Sequence, residues 1–386
     1  MYDFSKLAKR ENTSSLKWMN KDVLPMWVAD MDFDTLDSVK DAIRKRVDLG
    51  ALGYTNTPDY FFDAFQNFFK RHHGIDIDKN KMIFSTGVVP AISSIVRSMT
   101  SIGDNIILLT PTYNIFFNSV INNKRVPIEC DLVYDGLEYQ INFDDLEAKL
   151  KSSKMLILCN PQNPVGRLWR KDELERISNL CQKYNVIVLS DEIHCDIVTP
   201  GKSYVPFMSL GDSSKDISIT CISASKCFNL AGLQGAVVVA YNEDIYKRVN
   251  RGLNTDEVAE GNVFVYDAFT AALNTGDIWL KEMNQYVYDN KIYLDEFLNK
   301  NLPMLKYHFG DATYLAWVDV SSVTSDGKLL CDYLLENHKV YFSYGEEYGS
   351  RFKAFIRINL ATSRENVSVG LERLLEGIKS FKKQKS

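Results

Sequence analysis

A small set of side chains in this chain could do chemistry together. Lys226 lies in Ser223-Ala224-Ser225-Lys226-Cys227-Phe228-Asn229-Leu230-Ala231-Gly232, an amine among small and apolar residues. Such a lysine either turns outward from a surface loop or is held out of water, where its amine becomes neutral and nucleophilic. Asp191 follows the apolar run Val186–Ser190 and opens Asp191-Glu192-Ile193-His194. An acid there either caps a helix or loop, or meets a buried positive group such as a protonated pyridine nitrogen. Met155–Cys159 leads into Asn160-Pro161-Gln162-Asn163-Pro164-Val165-Gly166, a rigid turn that also holds the Asn163 amide where it could donate to a ligand oxygen. In Ser85-Thr86-Gly87-Val88-Val89-Pro90-Ala91, glycine permits a tight turn and proline suits a first helical turn. That is an ordinary strand–helix join, and it is also the form of a phosphate site at a helix N-terminus. Tyr113, after Thr110-Pro111-Thr112, is either core or an aromatic platform. Arg357 sits alone in the apolar run Phe355–Leu360. It either faces solvent or faces inward to clasp a carboxylate with both arms of its guanidinium.

Singly, each feature has a bland reading. Together, an amine, an acid for a ring nitrogen, a phosphate turn, an aromatic platform and a carboxylate-binding arginine are the parts that pyridoxal 5′-phosphate chemistry requires. There the lysine forms a Schiff base with the cofactor, and the acid keeps the ring nitrogen protonated so that the ring takes up a carbanion's electrons.

These residues need elements to hold them. Asn105–Leu109, Met155–Cys159, Val186–Ser190, Ile217–Ile222 and Ala236–Ala240 read as strands with little polar alternation, so buried on both faces as in a parallel sheet with helical crossovers. Lys171–Tyr184 is one such crossover helix, and helices are also expected over Leu36–Leu49 and from Pro90 to about Thr100. Asn242 to about Lys300 is mostly helical. Lys306–Phe381 reads strand, helix, strand, helix, an α+β unit closing with a helix from about Arg364. The candidate residues all follow strand ends, where open α/β sheets bind ligands.

Composition narrows the alternatives. The chain has 386 residues, 45% hydrophobic and 25% charged, as in an ordinary soluble globular protein large enough for two domains. A net charge of −5 argues against a nucleic-acid surface, and the basic Lys382-Lys383-Gln384-Lys385 tail reads as a frayed, solvated end. Neither a bilayer-spanning run nor a signal peptide is evident. Seven scattered cysteines without a CxxC pair point to a reducing cytoplasm rather than to disulfides or zinc. Five histidines show no metal spacing, and His72-His73 reads as an exposed helix end, so no metal is expected.

Over nearly its whole length the chain resembles the fold-type I pyridoxal-phosphate enzymes of the aminotransferase class I/II superfamily, and within them the MalY/PatB-type cystathionine β-lyases. The lysine, Asn-Pro and acid motifs carry the broader likeness. Trp27-Val28-Ala29-Asp30-Met31-Asp32-Phe33 and the Gly87-Val88-Val89-Pro90 turn carry the narrower one, and Gly53-Tyr54-Thr55 and Arg357-Ile358-Asn359-Leu360-Ala361 add to the resemblance. The resemblance implies an α/β fold: a large domain, 51–285, with a mainly parallel seven-stranded sheet between helices, and a smaller α+β domain, 286–386, joined by the arm and helix of 1–50. It implies that Lys226 and Tyr113 are catalytic, with Lys226 linking to the cofactor and then taking the substrate Cα proton. Asp191 would bind the pyridine nitrogen and Asn163 the phenolic oxygen. Tyr113 and Ile193 would sandwich the ring, with His194 beside it. Gly87, Val88, Val89, Ser223, Ser225 and the partner subunit's Tyr54 would hold the phosphate. Arg357, with Asn163, Tyr54 and Trp27, would bind substrate.

Gln234 stands where many relatives carry a phosphate-binding arginine, and His194 where aspartate aminotransferases carry tyrosine. Glu346-Glu347-Tyr348-Gly349-Ser350-Arg351 also departs from the glycine-rich form of the branch, at the substrate mouth. The implied activity is a homodimeric carbon–sulfur β-lyase that cleaves L-cystathionine, other cysteine S-conjugates or cysteine to a thiol, pyruvate and ammonia. The same residues would serve an aminotransferase, and a regulatory protein-binding role is a further alternative. Asp30 and Asp32, with no basic residue in their stretch, are expected to make an acidic entrance that repels a second substrate carboxylate.

Overall fold

The computed structural model describes residues 2–10, 12–135 and 138–385. Its apolar runs become the strands β1 (Met82–Ser85), β2 (Asn105–Thr110), β3 (Val126–Asp131), β4 (Ser153–Cys159), β5 (Ile187–Asp191), β6 (Ser218–Ile222) and β7 (Ala236–Val239). Among the described residues these seven form one sheet in the order β1-β7-β6-β5-β4-β2-β3. Neighbours from β3 to β6 run parallel, while β7 is antiparallel to both β1 and β6. The sheet is thus mixed, with a mainly parallel body. Both faces are covered: Ile106, Leu108, Ile157 and Leu189 join one apolar core, and Ile107, Leu109, Leu156 and Val188 another. Alternate residues of a strand point to opposite faces, so a strand in the middle layer must be apolar throughout. Edge strand β3 escapes that rule. Its Val126 is exposed and Pro127 cannot donate to a ladder, so the run carries no strand signal in the sequence.

Helices α1 (Asp37–Asp48), α2 (Asp59–His73), α3 (Val88–Met99), α4 (Lys171–Lys183), α5 (Glu243–Thr255) and α6 (Val263–Thr275) surround the sheet. Helix α2 buries Phe61, Phe65, Phe68 and Phe69, spaced to one stripe, against Phe269 of α6 and the β1–β7 edge. It ends at Gly74, whose φ of 68° closes the helix in the left-handed region. His72, at the end of α2, is exposed as expected, whereas His73 is not. His72 stacks on Phe68 at 4.2 Å, and the His73 side chain is 9% exposed and bonded to Asp196.

The 25-residue helix α7 (Asp277–Asn301) runs from one unit into the other. Trp279, Met283 and Val287 join the large core, and Leu294 and Leu298 join the second. The boundary drawn at 285/286 therefore falls inside a continuous helix. Beyond it, β8 (Lys306–His308), β9 (Leu315–Asp319), β10 (Ser343–Tyr344) and β11 (Phe355–Asn359) form an antiparallel sheet ordered β8-β9-β11-β10, covered by α8 (Gly327–His338) and α9 (Arg364–Lys385). Helix α9 continues through Lys385, so the basic tail is helical, not a frayed end. The N-terminal arm straddles the two units. Leu24–Pro25 pairs with Val340–Tyr341, whereas α1 packs on α6.

Candidate active site

The parallel strands β1, β2, β4, β5 and β6 deliver their carboxyl ends to one cavity of about 220 Å³. Strand β5 ends at Asp191 and strand β6 leads through Ser223–Ser225 to Lys226. The turn after β4 presents Asn163, β2 is followed by Tyr113, and β1 leads through Thr86 and Gly87 into α3. Most of the sequence-predicted residues line this space: Gly87, Val88, Val89, Tyr113, Asn163, Asp191, Ile193, His194, Ser225, Lys226 and Gln234.

Two adjacent carboxylates stand at the end of β5, Asp191 as its last residue and Glu192 just after it, and strand alternation separates them. Glu192 turns away from the cavity and accepts from Ser190 Oγ at 2.8 Å, Phe207 N at 3.0 Å, Asn160 Nδ2 at 3.3 Å and the Tyr204 hydroxyl. Asp191 faces the cavity, with Oδ1 accepting from Ile193 N at 3.1 Å. Burial dominates its titration and pushes the carboxyl up to about 7. An acid so placed invites a cation in front of it.

The Lys226 amine donates to the Ala29 carbonyl at 2.6 Å. Burial, against the opposing pull of Asp30, lowers its pKa, and the charge of Arg357 adds to the lowering. This is the setting of a reactive amine, not of a surface lysine. His194 is 3% exposed, its Nδ1 has no hydrogen-bond partner, and its ring meets Tyr314 edge-on at 5.8 Å. Burial, then the charges of Lys226 and Arg357, push it down to about 3, so it is a neutral imidazole. Burial likewise pushes the Tyr113 phenol up to about 12.

Arg357 on β11 faces inward, 4% exposed. Its Nη2 donates to the Trp27 carbonyl at 2.8 Å, Nη1 to Asn163 Oδ1 at 3.3 Å, and its carbon lies 4.8 Å from the Tyr348 ring centre. Its Nε has no partner, which leaves a donor for a carboxylate.

In the cavity wall, Gly87 has φ 149° and caps α3, so backbone amides of the first turn are presented together with Ser225 and Gln234. Gln234 takes a left-handed φ of 55°. Lys226 is the one cationic side chain among the described lining residues. Ser223 stands behind the wall, donating to Gly235 O at 2.6 Å and accepting from Ser225 N. Trp27 stacks on Tyr341 at 5.1 Å, outside the lining, and reaches the site through its carbonyl. Tyr54 is fully exposed on the protomer.

One expectation fails. Asp30 and Asp32 do not make an acidic entrance, because Arg10 bonds Asp30 at 2.7 Å and Asp32 at 2.6 Å, and Lys17 bonds Asp32 at 2.9 Å. The compensating cations lie 15 to 22 residues upstream of the carboxylates they pair with, outside Trp27–Phe33.

Other functional groups were not singled out from the sequence. The Ala29 carbonyl is a backbone atom and leaves no residue-type signal. Asn359 could have been found, since period two puts it on the same face of β11 as Arg357. Its Nδ2 donates to the Val28 carbonyl at 2.6 Å and the Asp30 carbonyl at 2.7 Å, clamping the segment that meets Lys226 and Arg357.

The residues fit pyridoxal phosphate on the structure's own terms. A buried acid without an ion pair shares the cavity with an amine of lowered pKa, a helix start with free amides lines the same space, and an arginine with an orphan Nε bonds Asn163 of its wall.

Comparison with known proteins agrees. Residues 21–374 match the family model described as aminotransferase class I and II. The chain is 35% identical to cystathionine β-lyase PatB of Bacillus subtilis, covering 96% of this chain and 98% of that protein. It is 30% identical to protein MalY of Escherichia coli, covering 99% and 100%. Its fold is similar to the crystal structure of cystalysin from Treponema denticola, which contains pyridoxal 5′-phosphate, with a TM-score of 0.95 and 32% identity over 98% of this chain and 99% of that one.

Proposed function

We propose that this chain, which belongs to the class I and II aminotransferase family, cleaves L-cystathionine and related cysteine S-conjugates. It is a pyridoxal-phosphate-dependent carbon–sulfur β-lyase. The observation that carries the substrate reading is the pairing of Lys226 and Asp191 across one cavity in a chain similar end to end to cystathionine β-lyase PatB.

Lys226 would hold the cofactor covalently and Asp191 would hold its pyridine nitrogen. Asn163 would bond the phenolic oxygen, with Tyr113 and Ile193 against the two ring faces and His194 at its edge. The first turn of α3, Ser225 and the Tyr54 of a second subunit would hold the phosphate, with Ser223 orienting Ser225. When bound, pyridoxal phosphate supplies the sink for the electron pair left at the substrate Cα. Arg357 Nε and the Asn163 amide orient the substrate carboxylate, so that the Cα proton faces the Lys226 amine. The amine takes that proton, for which its depressed pKa suits it. The sulfur substituent leaves Cβ as a thiol. Hydrolysis of the remaining three-carbon unit gives pyruvate and ammonia.

An aminotransferase would use the same groups up to proton removal, and Asp30 and Asp32, paired with Arg10 and Lys17, would not repel its second substrate carboxylate. Relatives such as cystathionine β-lyase PatB support the lyase reading. The same proposal includes a homodimer, a cofactor-holding unit of 51–285 closed by the smaller unit, and a cytoplasmic setting. The free, buried state of all seven cysteines supports the last. No helix among the described residues is long and apolar enough to cross a membrane.

Lys226→Ala tests the assignment. It should lose the visible absorbance of lysine-bound cofactor and at least roughly a thousandfold of thiol release from L-cystathionine, since covalent capture and proton transfer both vanish. A variant with the normal spectrum and turnover would move the chemistry to another lysine.

A further inference from the structure

On the far side of the turn that carries Asp191, Ile193 and His194, three groups of different chemistry meet. His73 ends α2, and Cys195 and Asp196 continue the turn. One nitrogen, one sulfur and one carboxylate oxygen from these residues all lie within 4.8 Å of one another. His73 Nε2 and Asp196 Oδ1 are 2.7 Å apart, and Cys195 Sγ donates to Asp196 Oδ2 at 3.5 Å. Cys195 is 1% and Asp196 8% exposed. The Cys227 thiol, next to Lys226, faces the same carboxylate. A separate cavity of about 540 Å³ opens onto the trio, with His73, Cys195, Asp196 and Asn284 in its wall. Asn284 Nδ2 donates to the Asp196 carbonyl at 2.8 Å, while its Oδ1 is buried without a hydrogen-bond partner.

We propose that His73, Cys195 and Asp196 form a binding site for one thiophilic divalent cation of the zinc type. Mixed imidazole, thiolate and carboxylate donors select such an ion over magnesium or calcium, which want oxygen alone. Zinc bonds of about 2.0–2.3 Å put tetrahedral donors roughly 3–4 Å apart, so donors that all lie within 4.8 Å of one another need only small side-chain shifts to reach one ion. Binding releases the Cys195 proton to solvent, and His73 presents Nε2 as a lone pair with its proton on Nδ1. The cavity admits the ion and leaves a fourth position for water or the Asn284 oxygen. A His–Asp hydrogen bond alone would tie α2 to the turn. The sulfur on the same carboxylate and the cavity beside it are what that tie leaves unexplained. Because Cys195 N bonds Glu192 O at 3.0 Å and Ile197 N bonds His194 O at 3.0 Å, the ion would clamp the turn behind the active site to α2.

The test uses cofactor-loaded enzyme, freed of metal by a chelator. Zn²⁺ is titrated in competition with a chromophoric chelator, and Co²⁺ is followed by difference absorbance against the zinc-loaded protein. The wild type should take up one Zn²⁺ per chain and show a thiolate-to-cobalt charge-transfer band. Cys195→Ser, checked for retained cofactor absorbance, should bind Zn²⁺ at least tenfold more weakly and lose the band. Cys331→Ser, in the core of the smaller unit, should match the wild type. Failure of the wild type to compete for Zn²⁺, absence of the cobalt band in the wild type, or equal affinity in Cys195→Ser would overturn the site and leave the trio a structural tie.

Discussion

Asp191 and His194 lie three residues apart and titrate in opposite senses. Burial keeps Asp191 protonated up to about 7 and His194 neutral down to about 3. In the cofactor-free protein, Asp191 binds a proton between about 4 and 7 that the unfolded chain has lost, so its contribution falls as pH rises through that window. His194 does the reverse: the unfolded chain binds the extra proton between about 3 and 6.5, so its contribution rises with pH. The two slopes largely cancel in the wild type, and a variant separates them. The unfolding free energy of cofactor-free wild type minus that of Asp191→Asn should fall by up to roughly 4 kcal/mol from pH 4 to pH 7. Denaturant melts at a series of pH values measure it, and a flat difference would mean that Asp191 ionises freely. At this scale the sequence was informative where residue type and punctuation coincide. Lys226, Asp191 and Asn163 each follow an apolar strand run, and Lys226 and Asn163 also sit in turns rich in serine or proline. Ser223 was legible as part of the site but not as a residue behind its wall, because a one-residue difference in facing leaves no trace in composition. The ion pairs of Asp30 and Asp32 were hidden for another reason: Arg10 and Lys17 belong to an arm whose folded path no periodicity announces.

That arm matters as an element. Between Trp27 and Asp30 it offers its carbonyls to Arg357, Asn359 and Lys226, and the single Asn359 amide holds two of them. Losing two hydrogen bonds costs about 1–3 kcal/mol. Asn359→Ala should therefore speed amide hydrogen exchange in residues 24–33 and lower kcat/KM about tenfold, while the absorbance of bound cofactor stays. Unchanged exchange in that segment would mean that the Arg10 and Lys17 pairs hold it without Asn359. The sheet was legible because five parallel strands buried on both faces must be apolar throughout. The direction of β7 was not, since an antiparallel strand in a buried layer has the same composition as a parallel one. The turn after β4 shows a further physical limit. Gly166 has φ 71°, and a Cβ there would lie 2.7 Å from the Ala312 carbonyl. The sequence marks the turn but not the second unit pressed against it.

For the whole molecule, the protomer leaves Leu16, Met19, Leu49, Leu52 and Tyr54 exposed, apolar surface that a second copy would cover in the proposed dimer. In that dimer Tyr54 would be a phosphate ligand in the neighbour, where Gln234 cannot cancel charge. Losing one hydrogen bond to a charged group costs about 1.5–3 kcal/mol, so Tyr54→Phe should weaken cofactor binding roughly tenfold to a hundredfold with the fold intact. Cofactor titration by absorbance checks this, and unaltered affinity would remove Tyr54 from the site. Subunit arrangement was legible only through the family resemblance, since a fully exposed tyrosine in a loop carries no sign of its partner. The central claim, carbon–sulfur β-elimination by the Lys226 site, is tested most directly by product stoichiometry. Purified holoenzyme is given L-cystathionine with no keto acid present, and thiol, pyruvate and ammonia are quantified over many turnovers. Equal amounts of the three, formed catalytically, are the predicted result. Pyruvate that appears only when a keto-acid acceptor is added, or turnover that frees no thiol, would contradict the account and make the protein an aminotransferase.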